Sequence, residues 1–308
     1  MTNTQHLIIA GSNKCGTTSL FRYLSDHPDV SGSMHKETGF FHHDYDYENS
    51  ETLTKYMKLF PDLKDHHRFC VEATPTYLDS GNVTISRIDQ LIDKPHVLLL
   101  LRDPTDRLVS YYRSKQGLES SLIYGLSFDE FVDKAMAIAS QIESASTEQE
   151  RRIGLQIEKA CYAQYLSEFL KKVPAERLHV MFFENLRDTP LSTLQSLCSA
   201  IDLNSHFYDD YVFRVENRSR FHRNAKLRTL ASKINAASEP VLNRLPIMRR
   251  WLRSVYNTVN TVPGKGQSFD DQTIRRLREY FQPHNEALGT LLKQEFHIEA
   301  FPEWLSAE

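Results

Sequence analysis

The residues of this chain best suited to chemistry lie in "GSNKCGTTSL", 11–20, directly after the apolar run "HLIIAG". A glycine-rich turn between a strand and a helix aims several backbone N–H groups at one point, where the helix dipole adds positive potential. Gly11 and Gly16 allow the backbone to approach an oxyanion, and Ser12, Asn13, Thr17, Thr18 and Ser19 add polar side chains around Cys15. The common nucleotide loop, G-x-x-x-x-G-K-[ST], has its lysine directly after the second glycine. Here Thr17 follows Gly16 and the lysine is Lys14, inside the loop. That placement sets the ammonium beside a short terminal group, such as a bridging oxygen, instead of a distal phosphate with its magnesium. Taken alone, the loop fits a phosphate site or a glycine-rich turn with a solvated lysine.

A second segment, "LLLLRDPTDRLVSYYRS" at 98–114, places Arg102 at the end of an apolar strand, where open α/β sheets bind ligands. Ser110 follows in the next helix. An arginine with a serine makes a fixed-charge clamp for a second phosphate, and the competing reading of Arg102-Asp103 is a local ion pair closing a turn.

These groups need a frame. Apolar runs at 6–11, 68–75, 96–104 and 178–186 read as buried strands. Leu20, Tyr23 and Leu24 repeat at helical spacing after the loop, with Pro28 closing that helix. Ile157, Cys161, Tyr165 and Phe169 predict one amphipathic helix over 155–172. The stretch 115–155 reads as helices and loops outside the sheet, and 269–292 as a helix, a break at Pro283 and a second helix. Strands alternating with helices predict an α/β fold. We read 1–308 as a single P-loop-like, three-layer domain, with a central parallel sheet of about five strands flanked by helices.

With 40% hydrophobic residues the chain can bury a sizeable core, and its net charge of −3 excludes indiscriminate polyanion binding, so no nucleic-acid partner is expected. The four cysteines have no zinc-like spacing and read as reduced structural thiols. No apolar run is long enough to span a bilayer and the start lacks leader features, which reads as cytoplasmic. Residues 214–253 differ from the rest, holding eleven Lys/Arg against Glu216 and Glu239. We read 214–256 as a basic helical subregion. "NRSRFHRNAKLR" interleaves Arg218, Arg220 and Arg223 with Phe221, suited to stacking on sugar rings while the charges meet carboxylates or sulfates. Trp251 among Arg249, Arg250 and Arg253 instead suits peripheral contact with an anionic membrane, and a solvated face is the third reading.

Together the two ligand segments resemble those of sulfotransferases that use 3′-phosphoadenosine 5′-phosphosulfate (PAPS). "GSNKCGTTSL" is similar to that family's 5′-phosphosulfate loop and "LLLLRDPTDRLVSYYRS" to its 3′-phosphate segment. The resemblance continues in "HPDVSGSMHKETGFF", "VEATPTYL", "EKACYAQYLSEFLKKVPAERLHVMFFENL" and "PGKGQSFDDQTIRRLREYFQPHNEAL". Its flavour is that of the heparan-sulfate-type and related bacterial carbohydrate enzymes. It implies transfer of a sulfuryl group to a hydroxyl or amine, with the bisphosphate nucleotide PAP as product and no metal. Residues 12–19, Arg102, Ser110, Lys265 and Gly266 would then hold the donor, with Lys14 neutralising charge on the bridging oxygen. Glu37 in "HKETGFF" would be the general base, His35 the alternative because imidazole titrates near working pH, and Lys36 would lie on the acceptor side with Arg218, Arg220 and Arg223. Two positions depart from the pattern: Ala73 stands where the family often has lysine, and Gln267 where it often has arginine. A small-molecule or lipid acceptor, a P-loop kinase and a non-catalytic nucleotide-binding module are the other readings.

Overall fold

A computed structural model describes residues 4–116, 118, 121–214, 220–222, 261–263 and 269–306. Its centre is a sheet of five parallel strands: β1 (Gln5–Gly11), β2 (Val30–Gly32), β3 (Phe69–Ala73), β4 (His96–Leu101) and β5 (Leu178–Phe182), in the order β2-β3-β1-β4-β5. The chain fills one side of β1 with β2 and β3, then crosses to the other side for β4 and β5. The carboxyl end of β1 therefore lies where the strand order reverses, the position at which open α/β sheets bind ligands. β2 is the strand that the apolar runs do not announce, because three residues are too few to show a pattern.

Side chains alternate between the two faces of each strand. Leu7, Ile9, Phe69, Val71, Leu98 and Leu100 bury one face against Leu20 and Leu24 of α1 (Thr17–Ser25) and Leu194 and Leu197 further along the chain. Each such side chain contributes roughly 1.5–3 kcal/mol by leaving water. The opposite face carries Ile8, Cys70, Val97 and Leu99, and among them one carboxylate, Glu72, all fully or almost fully buried. All four cysteines are free and buried.

Six further helices occupy the middle of the chain: α2 (Ser50–Met57), α3 (Gly81–Leu91), α4 (Pro104–Lys115), α5 (Phe128–Ala139), α6 (Glu148–Glu158) and α7 (Tyr162–Leu170). After β5 come α8 (Phe183–Asp188), α9 (Pro190–Ala200), a two-stranded antiparallel pair β6 (Arg220–His222) and β7 (Thr261–Pro263), and α10 (Asp271–Phe296). Contacts cluster into two units. One comprises Met1–Arg107, Cys161–Asn217 and Tyr280–Glu308 and contains the whole five-stranded sheet; the other comprises Leu108–Ala160 and Arg218–Glu279. In the second unit α5 and α6 pair closely: a Cβ at Gly154 would lie 2.6 Å from Ile138. Both helices start in a capping box, Ser127 with Glu130 and Thr147 with Glu150.

Three sequence expectations are corrected. The single helix at 155–172 is two, because Ala160, Cys161 and Tyr162 are buried in a row, which no one helical stripe allows. The strand at 178–186 ends at Phe182, and α8 starts at the next residue. The break at Pro283 is absent and α10 runs through it. Proline costs that helix one hydrogen bond, but Leu277, Phe281, Leu288 and Leu292 keep one buried stripe on both sides of it. No described helix is long and apolar enough to cross a membrane.

Candidate active site

The loop 11–16 joins β1 to α1, and two glycines fix its shape. A Cβ on Gly11 would meet Leu78 at 2.5 Å; Gly16 has φ +86°, and a Cβ there would meet Phe183 at 2.9 Å. The Ser12 amide donates to the Leu100 carbonyl of β4 at 2.7 Å, and the Cys15 amide donates back to Ser12. Ser12 and Cys15 turn their side chains inward, at 1% and 0% exposure, whereas Asn13 is exposed and Lys14 and Thr18 are partly so. Thr17 and Ser19 are buried at the start of α1. Burial pushes the Cys15 thiol up against the lowering effect of Arg107 and Arg102, so it stays protonated and serves the loop through its backbone. At the helix start Gly16 supplies no side-chain cap and the first turn has no acidic residue, so no carboxylate of that turn offsets the positive end of the α1 dipole.

Arg102 leaves the end of β4 and joins this loop. One terminal nitrogen donates to the Lys14 carbonyl at 3.2 Å and the other to Asp106 at 3.4 Å, while the guanidinium lies 4.4 Å over the Phe183 ring. Its Nε is buried and has no hydrogen-bond partner among the described residues. The two sequence segments read as separate phosphate contacts are thus bonded to one another. Ser110 sits buried in α4.

Three residues missed from the sequence support the same loop. Arg107, only 1% exposed, directs Nε at the Ser12 hydroxyl at 3.4 Å. Tyr162 donates to the Arg102 carbonyl at 3.0 Å and lies 3.9 Å from the Cys15 sulfur. Phe183 packs against both Gly16 and Arg102. Arg107 was open to discovery as a second arginine in "RDPTDR"; nothing local marks Tyr162 or Phe183, which reach the loop only through the fold.

Beside the loop is the turn carrying Glu37. The Glu37 amide donates to the Ala73 carbonyl at 2.7 Å, at the end of β3, and the Thr74 amide donates to the Ile9 carbonyl of β1 at 3.1 Å. The turn therefore hangs from the strand next to the one that ends in the Lys14 loop. Glu37 has φ +64°, in the left-handed region that disfavours glutamate, and is exposed. Its carboxylate pairs with Lys36 at 2.7 Å. His35 is exposed as well, and its carbonyl accepts from the Ser33 hydroxyl at 3.0 Å. At the position where the sequence departs from the pattern, Ala73 offers only its backbone. The neighbouring Glu72 is the carboxylate that the sequence left unread: a charged residue inside an apolar strand, with its pKa raised to about 7 by burial.

Lys265, Gly266, Arg218 and Arg223 lie outside the described residues, and Arg220 is described only as backbone in β6. Of the stretch 214–256 read as helical, only Arg214 and 220–222 are described, and 220–222 is a strand paired with β7, not a helix; the rest of that acceptor surface lies outside the described residues. A cavity of about 610 Å³ along β5 and α9 shares no residue with the site.

Comparison with known proteins places this arrangement in a family. The model of the sulfotransferase domain matches residues 4–289. The heparan sulfate N-deacetylase/N-sulfotransferase of Drosophila melanogaster, a bifunctional protein, is 24% identical over 97% of this chain, which spans 27% of that protein's length. Mouse heparan sulfate glucosamine 3-O-sulfotransferase 5 is 27% identical over 61% of the chain and matched along 50% of its own length. The crystal structure of a sulfotransferase from Alicyclobacillus acidocaldarius superposes with a TM-score of 0.62 at 20% identity, covering 97% of this chain and 98% of that one, which shows the shared fold. With a strand–loop–helix junction at the switch point of a five-stranded parallel sheet and a family match over residues 4–289, this chain belongs to the sulfotransferase family.

Proposed function

We propose that the chain transfers a sulfuryl group from PAPS to a hydroxyl or amine of a glycan or glycoconjugate. The observation that carries this reading is the junction at the carboxyl edge of the sheet. There Arg102 binds the Lys14 carbonyl, and the Glu37 turn hangs from the adjoining strand. The residues fit the donor: α1 starts uncapped and free of acidic residues, and Arg102 keeps a buried Nε without a partner among the described residues. When bound, the donor supplies an activated S–O bond. The loop amides and α1 hold its phosphosulfate end, and Arg102 holds the 3′-phosphate. Glu37 accepts the proton of the attacking acceptor oxygen or nitrogen. Lys14 neutralises the charge that grows on the oxygen of the breaking S–O bond, a stabilisation felt mainly in the transition state. The glycan acceptor is supported by the names of the relatives, both of which act on heparan sulfate.

Thermal shift with PAP against ATP tests the donor, and labelled PAPS offered with desulfated heparan sulfate, a phenol and a lipid alcohol tests the acceptor. Stabilisation by PAP alone and label on the polysaccharide are expected. Equal stabilisation by ATP would return the loop to general nucleotide binding, and label only on the small alcohols would overturn the glycan assignment.

A further inference from the structure

Directly behind the Glu37 turn, three consecutive backbone amides end on three hydroxyls. The Gly39 amide donates to Thr74 Oγ1 at 3.2 Å, the Phe40 amide to Thr38 Oγ1 at 3.3 Å and the Phe41 amide to the Tyr77 hydroxyl at 3.2 Å. Each hydroxyl that accepts an amide still has its own proton to give. Thr38 gives it to Glu72 Oε2 at 2.7 Å and Thr74 gives it to the same oxygen at 3.2 Å, while the Tyr77 hydroxyl lies 3.5 Å from Thr38 Oγ1. Glu72 is 0% exposed, and its other oxygen, Oε1, has no hydrogen-bond partner among the described residues. One carboxylate thus gathers the hydroxyls that hold Gly39, Phe40 and Phe41. Both Glu37 (φ +64°) and Gly39 (φ +62°) depart from ordinary backbone in this turn, so something must hold the turn in that shape.

We propose that Glu72 is a positioning residue for the transfer reaction: through Thr38, Thr74 and Tyr77 it fixes the 37–41 turn and so aims the Glu37 carboxylate. This rests on the reading of Glu37 as base. Ionised, Glu72 accepts charge-assisted hydrogen bonds, about twice as strong as those to a neutral acid. Protonated, it holds the hydroxyls less firmly and the turn loosens. The groups facing it are the hydroxyls of Thr38, Thr74 and Tyr77 together with Tyr56 from α2 and Cys70 from its own strand. Tyr56, Tyr77 and Cys70 are all raised by burial and remain neutral, so the state of Glu72 itself sets the charge of the cluster. With burial placing Glu72 at about 7, the aim of Glu37 strengthens as pH rises through neutrality. The sign for global stability is opposite. A carboxyl whose folded pKa lies above its unfolded value near 4.5 adds stability that is full below 4.5 and is lost as pH rises through about 7.

The test uses the full chain, Glu72→Gln, Thr38→Val as a milder second variant, and Glu37→Gln as control. Transfer from labelled PAPS to desulfated heparan sulfate and amide exchange at Gly39–Phe41 are measured across pH 5–9. Glu72→Gln should lower kcat about ten- to a hundredfold, the size of a misaimed reacting group. It should leave the donor KM unchanged and flatten the limb of kcat near pH 7. Amide exchange at 39–41 should quicken in both variants, and the melting temperature of Glu72→Gln relative to wild type should climb from pH 5 to pH 8. Unchanged exchange in both variants would overturn the proposal and leave Glu72 as a buried core acid. Faster exchange with kcat intact would confine its role to the turn and overturn its role in the reaction. A fully active Glu37→Gln would instead remove the base assignment, while the exchange data would still report on Glu72 and the turn.

Discussion

The Lys14 loop and the Glu37 turn sit at the ends of neighbouring strands and are built on different principles. The loop is set by backbone geometry and permanent charge. Gly11 and Gly16 sit where any Cβ would collide, Arg102 and Arg107 bind its inner side, and Ser12 and Cys15 are buried. The turn is set by hydroxyls converging on one buried carboxyl whose charge changes near neutrality, and its own carboxylate is exposed beside Lys36. On the proposed function, the loop as an anion cradle would present the same field at every pH, whereas Glu37 as a base would exchange protons with its surroundings, and the two constructions match those two tasks.

The sharpest way to break this comparison is Glu37→Gln. It should leave PAP affinity intact by calorimetry while kcat falls by roughly two to four decades, the span of a general-base contribution. Activity retained there and lost in His35→Ala would move the base to His35. Next comes Lys14→Ala, expected to lower kcat by about 10²–10³ with a much smaller change in donor affinity, as for loss of one group that stabilises transition-state charge; an unchanged kcat would sink its assigned role.

Arg102→Ala sharpens the cradle side. Calorimetry should show PAP binding weakened by about 1.5–3 kcal/mol, the worth of charged hydrogen bonds. Adenosine 5′-phosphate should lose less, the loss it does show reporting the broken tie to the Lys14 carbonyl. Equal losses for both nucleotides would confine Arg102 to shaping the loop. Smallest is Gly16→Ala, where the left-handed backbone alone costs about 1–2 kcal/mol of stability before any rearrangement of Phe183. Thermal unfolding at pH 6 and pH 8 should give the same loss at both, since what a Cβ at Gly16 meets is the Phe183 ring and Leu100. A loss that varies with pH would erase the distinction between the two segments.

Much of the cradle was legible in the sequence. An apolar run, two glycines at fixed separation and a helical repeat together specify strand, turn and helix within one window, and Lys14 and Arg102 are placed by their position along it. The Glu37 turn was legible only through family resemblance, because "HKETGFF" carries no periodic pattern of its own. Short-range signals failed where distant parts of the chain cast the deciding vote: the split between α6 and α7, the three-residue β2, and the uninterrupted α10 across Pro283.

Residue type and spacing by themselves determined the α/β class, the strand–turn–helix order of 6–24 and the strand-end position of Arg102, since backbone preference and side-chain alternation act over a few residues. Tertiary structure alone decided that the Lys14 carbonyl meets Arg102, that Tyr162 and Phe183 close the loop from behind, and that the Glu37 amide lands on Ala73. It also decided that Glu72, an ordinary acidic letter in "FCVEA", is sealed from water among hydroxyls. Parallel strands bring together residues far apart in the chain, and the cost of burying a charge depends on what surrounds it once they have met.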